Sequence, residues 1–150
     1  MRGFLVPLSR ERVSERGNSR YNTMMKRKEL LITSLSFGVL LFVLNEVALY
    51  LELYWTLWWL DLAFHFIGGF AVGGLAVGLF IARGMGFWKS ASIVLLTTFL
   101  IALAWESYEF LFRDSYTEAY LIDTLTDVIL GAAGGLSALY YAPRSLWKHT

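Results

Sequence analysis

The stretch that decides the fold class is residues 61–82, DLAFHFIGGFAVGGLAVGLFIA. After Asp61 its only titratable side chain is His65. A transmembrane helix needs about 20 predominantly apolar residues, and this stretch supplies them without interruption. In a helix, residues four apart lie on the same face, so Asp61 and His65 are neighbours. The stretch therefore predicts a transmembrane helix with an acid and a histidine side by side near its start.

The composition of the whole chain agrees with a membrane protein. Of its 150 residues, 57% are hydrophobic and 17% are charged, against roughly 45–50% and about 25% in soluble domains. The length leaves room for a single domain. The chain contains no cysteine, which excludes disulfides, thiolate metal ligands and thiol nucleophiles. We therefore expect an integral membrane protein whose chemistry lies in or beside the bilayer.

Four hydrophobic segments are long enough to cross a membrane, at about residues 30–53, 57–82, 88–112 and 119–142. The links between them are short, at residues 54–56, 83–87 and 113–118. Short links make sequential helices antiparallel. The predicted fold is all-α: an integral membrane bundle of four antiparallel transmembrane helices over residues 30–142.

Lysine and arginine are concentrated on one side of this bundle. The tail of residues 1–29, the loop of residues 83–89 and the short C-terminus of residues 143–150 are all basic. The positive-inside rule then predicts that both termini are cytoplasmic. The expected location is the inner, cytoplasmic membrane. We expect residues 1–29 to form a mobile tail. Met24 or Met25 offers an alternative translation start, which leaves open whether residues 1–23 belong to the native protein.

Seven ionisable side chains interrupt the apolar segments, and each costs at least ~2.5 kcal/mol on insertion scales unless it faces a partner or a wet cavity. They are Glu46, Asp61, His65, Glu106, Glu109, Asp123 and Asp127. At 1.5 Å of rise per residue, Glu46, His65, Glu106 and Asp127 are expected roughly 10 Å inside the outer surface. The other three lie about one turn nearer that surface. The topology therefore predicts one polar site in the outer half, above apolar cytoplasmic halves.

Several carboxylates in a low-dielectric pocket need either protons or a cation among them. We predict His65, Glu106 and Asp127 as the catalytic core. The candidate metal ligands are Asp61, His65, Glu106, Glu109, Asp123 and Asp127. One histidine with carboxylates suits Mg²⁺, Mn²⁺, Ca²⁺ or Zn²⁺. No organic cofactor is expected. Asn45, Ser107, Thr124 and Thr126 are candidates for supporting hydrogen bonds.

Simpler interpretations stay open for individual residues. Asp61 could cap its helix, His65 could be a neutral hydrogen-bonding group between helices, and Asp123 could be a partner of the helix dipole. The glycine pairs 69/73, 74/78 and 131/135 let helices approach closely. They either bring the second and fourth segments together, which holds His65 near Asp127, or form the surface of a homodimer.

The polar motifs also resemble a known family. Asp61-x-x-x-His65-Phe66-x-x-Gly69, Glu106-x-x-Glu109 and Asp123-x-x-x-Asp127 with Gly131 and Gly134 resemble small bacterial membrane proteins of the VanZ-like type, and more closely the YjdF-type inner-membrane proteins. The resemblance covers roughly residues 35–140 and implies a membrane fold of four to six helices. VanZ-like proteins are linked to glycopeptide-antibiotic resistance at the cell surface. This chain departs from them at Glu109, where glutamine is commoner, and at Gly131, where asparagine is expected.

Three functions are compatible with this pattern. The first is chemistry on, or binding of, a lipid or lipid-linked substrate in the outer leaflet, with a cation and a water nucleophile. The second is a cation- or proton-coupled carrier, which would need a polar path through the cytoplasmic half. The third is a structural network that sets helix register. The bilayer is the expected partner in each case, and nucleic acid is not.

Overall fold

The computed structural model describes residues 10–81, 84–112 and 120–143, and these residues contain helices and no strand. The helices are α1 (Arg10–Tyr50), α2 (Leu53–Thr56), α3 (Trp59–Phe80), α4 (Phe87–Phe112) and α5 (Tyr120–Tyr141). Within the described ranges, α1, α3, α4 and α5 are long and apolar enough to cross a membrane. The predicted all-α fold with four membrane-length helices is confirmed.

The first helix begins much earlier than the sequence pattern indicates. Residues 10–29, expected as part of a mobile tail, continue α1 without a break, so the expected start near residue 30 is wrong. No proline interrupts residues 10–50, and once a helix is nucleated each added residue costs little. The apolar part of the helix is Tyr21–Tyr50. Residues 1–9, the link at 113–118 and residues 144–150 lie outside the described residues.

The connection between α1 and α3 also differs from the prediction. The expected linker at residues 54–56 folds into the single turn of α2, and α1 ends at Tyr50. Glu52 has φ of 53°, in the left-handed region that non-glycine residues rarely adopt, and this breaks the helix. Tyr54 Oη donates a hydrogen bond of 2.5 Å to Asn45 Oδ1, which ties α2 back to α1.

The helix α3 lies at the centre of the bundle. It packs most extensively on α5, and it also contacts α1 and α4, while α4 packs on α5. In the described part of the chain, no Cα of α1 comes within 8 Å of a Cα in α4 or α5. The helix α1 is therefore attached through α3 and α2, and a groove separates it from α4.

Glycines set the distance between α3 and α5. A Cβ on Gly69 would overlap the carbonyl oxygen of Gly131, and a Cβ on Gly73 would lie 2.6 Å from the Cα of Gly135. The contacts rise in parallel along both helices, so α3 and α5 run in the same direction. The prediction that these pairs bring the second and fourth segments together is confirmed.

Another glycine pair of α3, Gly74 and Gly78, packs against α1. A Cβ on Gly74 would overlap Ser34 Oγ, and one on Gly78 would meet the side chain of Leu31, so α1 runs antiparallel to α3. Beyond this contact, the guanidinium of Arg27 donates a hydrogen bond of 2.5 Å to the carbonyl oxygen of Ile81, at the end of α3. A cation at a helix C-terminus satisfies a free carbonyl and interacts favourably with the helix dipole.

Replacing Arg27 with glutamine should lower the stability of the protein in detergent by about 1–2 kcal/mol, because it removes both the charge and the hydrogen bond at the end of α3. The neighbouring Lys28 is exposed, so Lys28→Gln is the matched control. The melting temperatures of both variants, measured by thermal unfolding, test this prediction. Equal melting temperatures for the two would show that the Arg27 contact contributes nothing.

The half of the bundle away from α2 is closed and apolar. Its buried cluster joins α3, α4 and α5 through Ala76, Val77, Ile81, Ala91, Val94, Leu139 and Ala142. Such packing leaves little room for water. The predicted contrast between an apolar half and a half that carries the ionisable groups is confirmed for the described residues.

Candidate functional site

His65 is the centre of the polar cluster. Its Nε2 atom lies 3.6 Å from Asp61 Oδ1, 4.0 Å from Glu106 Oε1 and 3.7 Å from Asp127 Oδ2. The three carboxylates come from α3, α4 and α5 respectively. The structure thus brings His65, Glu106 and Asp127 together, as the topology predicts. These separations exceed the 2.7–3.2 Å of ordinary N–H···O hydrogen bonds.

Asp127 is the most deeply buried member of the cluster. Its side chain is 3% exposed, and its Oδ1 atom is buried with no hydrogen-bond partner among the described residues. Leaving a buried polar atom unsatisfied costs about 1–3 kcal/mol, and more when the group is charged. The sequence shows no lysine or arginine in α3 or α5, and Lys89 of α4 lies at the opposite end of the bundle. Asp127 is therefore buried without a lysine or arginine side chain from α3, α4 or α5 beside it.

A threonine orients the glutamate. Thr124 Oγ1 donates a hydrogen bond of 2.8 Å to Glu106 Oε2, so α5 fixes a side chain of α4. This confirms one of the predicted supporting hydrogen bonds. Ser107 and Thr126 instead donate to Leu103 O and Ile122 O on their own helices. These hydroxyl groups form hydrogen bonds within their own helices and do not support the site.

Two overlapping groups have atoms close enough to share a metal ion. One is Asp61, His65 and Asp127, and the other is His65, Glu106 and Glu109, with ligand atoms within 4.8 Å of one another in each group. Protein ligands lie about 2.0–2.6 Å from such metals, so two ligands of one ion are at most about 5 Å apart. The spacing of both groups fits a single ion held near His65.

The other predicted metal ligands, Asp61, Glu109 and Asp123, differ in burial and in the group to which they belong. Asp61 is 32% exposed and stands in the first turn of α3, where the helix dipole also favours a carboxylate. Glu109 is half-buried and belongs to the second group. Asp123 is exposed and belongs to neither group found among the described residues. Its predicted role as a ligand has no support from this geometry.

The expected position of Glu46 in the inner layer is wrong. Glu46 is exposed, whereas the adjacent Asn45 is 6% exposed and faces the bundle. Consecutive helix residues point about 100° apart, so depth along a helix does not decide which of two neighbours faces inward. Asn45 Nδ2 donates a hydrogen bond of 3.4 Å to Glu46 Oε1.

A cavity of about 250 Å³ adjoins the cluster. Asp61, His65 and Asn45 line its polar end, and it continues along α3 between α1 and α4, where apolar side chains surround it. Sequence reasoning did not find this cavity, because glycines such as Gly38 and Gly68 create it by lacking side chains. An isolated glycine in an apolar helix does not distinguish a cavity from close packing.

Comparisons with known proteins agree with a membrane protein. A family described as "Predicted membrane protein (DUF2238)" matches residues 19–148. No curated protein and no solved structure matches the chain. The match supports a membrane-protein family in general, and the closer resemblance to VanZ-like and YjdF-type proteins stays an expectation from the motifs.

Proposed function

The chain belongs to the DUF2238 family of predicted membrane proteins, and from this premise we propose that it binds one divalent cation through Asp61, His65 and Asp127, with Glu106 as the neighbouring carboxylate. The cation holds the anionic group of a lipid or lipid-linked substrate. The observation that carries the proposal is the buried Asp127 Oδ1, which lacks a hydrogen-bond partner among the described residues beside a histidine from another helix. A bound cation supplies what this oxygen lacks.

The donor atoms favour a hard or borderline metal. One imidazole and several carboxylate oxygens suit Mn²⁺ and Zn²⁺, and also Mg²⁺ or Ca²⁺ where water completes the shell. Glu106 and Glu109, which form the second group with His65, are the candidates for further ligands. Thr124 orients Glu106 as an outer hydrogen-bond partner of a ligand does.

His65 acts in this proposal as a ligand. Its Nε2 atom is the one that faces all three carboxylates, so the same atom cannot also accept a proton from water. If the protein hydrolyses its substrate, the base is therefore a carboxylate that does not bind the ion. The cation would polarise a phosphate or carbonyl oxygen.

The charge distribution supports an outward-facing site. The basic N-terminal region and the loop of residues 83–89 belong to the end of the bundle opposite the cluster. On the positive-inside rule, our proposal is that the cluster lies in the outer half of the cytoplasmic membrane, below the exposed Trp55, Trp58 and Trp59. The substrate would therefore approach from the outer leaflet or the aqueous face above it.

The apolar half of the bundle argues against a carrier. A cation or proton crossing the membrane needs polar groups along its path. Below the cluster, α3 and α5 touch through backbone at Gly73 and Gly135, and the buried cluster around Val77 and Leu139 fills the space. The described residues provide one polar site and no second one on the far side.

Cation content tests the proposal. Purified protein, stripped and then exposed in turn to Mg²⁺, Mn²⁺, Ca²⁺ and Zn²⁺, should retain a single divalent ion per chain, measured by elemental analysis and calorimetric titration. The triple variant His65→Ala/Glu106→Gln/Asp127→Asn should retain none. Asp123→Asn, which changes an exposed carboxylate outside both groups, is the matched control and should bind as the wild type does.

Absence of a retained ion from the wild-type protein with all four metals would refute the cation site and favour a structural network. Equal binding by the triple variant and the wild type would place the ion elsewhere. Loss of binding in Asp123→Asn would show that the ligand set extends to the exposed start of α5.

A further inference from the structure

The cavity beside the cluster has the shape of a slot along the central helix. It follows α3 from Asp61 to Leu75, which is about 20 Å at 1.5 Å per residue. One leaflet of hydrocarbon is about 15 Å thick, so the slot covers the depth of a leaflet. Its walls are α1 on one side and α4 on the other. No described Cα of α1 lies within 8 Å of one in α4, and the cavity between these helices is not fully enclosed.

We propose that this slot binds one acyl chain of a membrane phospholipid, which enters laterally between α1 and α4 and places its headgroup at Asp61 and His65. The inference rests on the proposed function, since the cation at His65 is what would hold the phosphate. It adds that the substrate is taken from the bilayer and recognised by a hydrocarbon chain as well as by an anionic group.

The slot is polar at one end and mostly apolar along the rest of its length, as a lipid molecule is. Its amide and titratable groups, Asn45, Asp61 and His65, stand together at the end nearest the exposed tryptophans. The hydroxyl of Thr98, farther along the slot, donates to the carbonyl oxygen of Val94 on its own helix. The remainder is lined by side chains such as Leu41, Val72 and Leu75. An apolar cavity of this kind stays dry and takes up apolar molecules, as cavities of about 150 Å³ do for benzene.

The volume suits a slender occupant. The cavity measures about 250 Å³, just below the roughly 300–1,000 Å³ of sites for drug-sized ligands, as a single acyl chain requires.

Two glycines keep the slot open. A Cβ on Gly38 of α1 or on Gly68 of α3 would meet no heavy atom within 4 Å, although both residues line the cavity. A larger side chain at either position can therefore project into the slot without displacing the backbone. A substitution at either glycine can therefore block the slot without preventing the protein from folding.

The test uses vesicles that contain phosphatidylglycerol with a photoactivatable diazirine in the acyl chain. After illumination, mass spectrometry maps the labelled residues. In the wild type, Val72 and Leu75 inside the slot should be labelled at least as strongly as Leu96 and Leu100, which face outward on α4 and report ordinary lipid contact. Phosphatidylethanolamine with the same chain also carries the phosphate that the cation would hold, so it should label the slot as well.

Gly38→Leu and Gly68→Leu should each abolish labelling of Val72 and Leu75 and leave labelling of Leu96 unchanged. Ser36→Leu adds the same bulk to an exposed position of α1 and should label as the wild type does. Unlabelled Val72 and Leu75 in the wild type, or unchanged labelling in both glycine variants, would overturn the inference. A crosslink from these positions to a second copy of the chain would overturn it as well.

Cation titration of the same preparations separates the two proposals. Gly38→Leu should bind the ion with wild-type affinity, because the substitution does not touch the cluster. A wild type that binds the cation and shows no slot labelling leaves the cation site intact and defeats only the lipid slot. Slot labelling in a protein that binds no cation defeats the proposed function and shows an acyl-binding slot alone.

Discussion

Gly69→Ala should prevent the protein from forming its native bundle. The added Cβ would overlap the carbonyl oxygen of Gly131, which is backbone and cannot rotate away. Separating α3 from α5 would open the most extensive helix contact of the structure and move His65 away from Asp127. We expect a loss of stability beyond the about 1–3 kcal/mol typical of an overpacked core. The measurements are the yield of monodisperse protein and its thermal unfolding.

The adjacent residue provides the control. A Cβ on Gly68 meets nothing within 4 Å, so Gly68→Ala should be neutral or stabilise the helix by up to about 1 kcal/mol. Gly131→Ala is a second control, because its Cβ would lie 4.0 Å from Ala102 Cβ, an ordinary contact. If Gly69→Ala melts at the same temperature as Gly68→Ala, the close approach of α3 and α5 described above is wrong.

Asp127→Asn should affect stability in opposite directions with and without the cation. Without the ion, the amide keeps the shape of the side chain and removes a buried carboxyl group that lies among other carboxylates, so the variant should be at least as stable as the wild type. With the ion at 100 times its dissociation constant, the wild type should gain about 2.7 kcal/mol. The variant should gain almost nothing, because it lacks the buried carboxylate ligand.

Thermal unfolding of stripped and cation-loaded protein measures both effects. Asp123→Asn is the matched control, an equivalent change on the same helix at an exposed position, and it should keep the full gain on loading. A variant Asp127→Asn that is stabilised by the ion as much as the wild type would remove Asp127 from the ligand set. A stripped variant that is far less stable than stripped wild type would assign Asp127 a structural role.

Much of the fold follows from hydrophobic length alone. Four apolar segments with short links define an antiparallel bundle, whereas the glycine pairs 69/73 and 131/135 are by sequence equally compatible with a homodimer surface, and only the structure shows that they join α3 to α5. The length of the hydrophobic segments does not predict that α1 lies beside α3 and away from α4 and α5. That arrangement depends on the fit of Ser34 and Leu31 onto Gly74 and Gly78, which are one of several small patches in the sequence.

The depth of each residue in the membrane predicts part of the cluster. His65, Glu106 and Asp127 lie at similar depth, and their helices face one another. The same reasoning fails for Glu46, because α1 is apolar on all sides and its pattern does not indicate which face meets α3. The neighbouring Asn45, whose side chain is neutral, is the buried residue.

The coordination of the cation by His65 is the central claim, and Mn²⁺ tests it most directly. Mn²⁺ bound to the purified protein in detergent can be examined by pulsed electron paramagnetic resonance, which detects nitrogen-14 that is coordinated to the metal. We expect one bound Mn²⁺ with coupling to a single imidazole nitrogen, and loss of this coupling in His65→Gln. Bound Mn²⁺ without nitrogen coupling, or with coupling that persists in His65→Gln, would contradict the account.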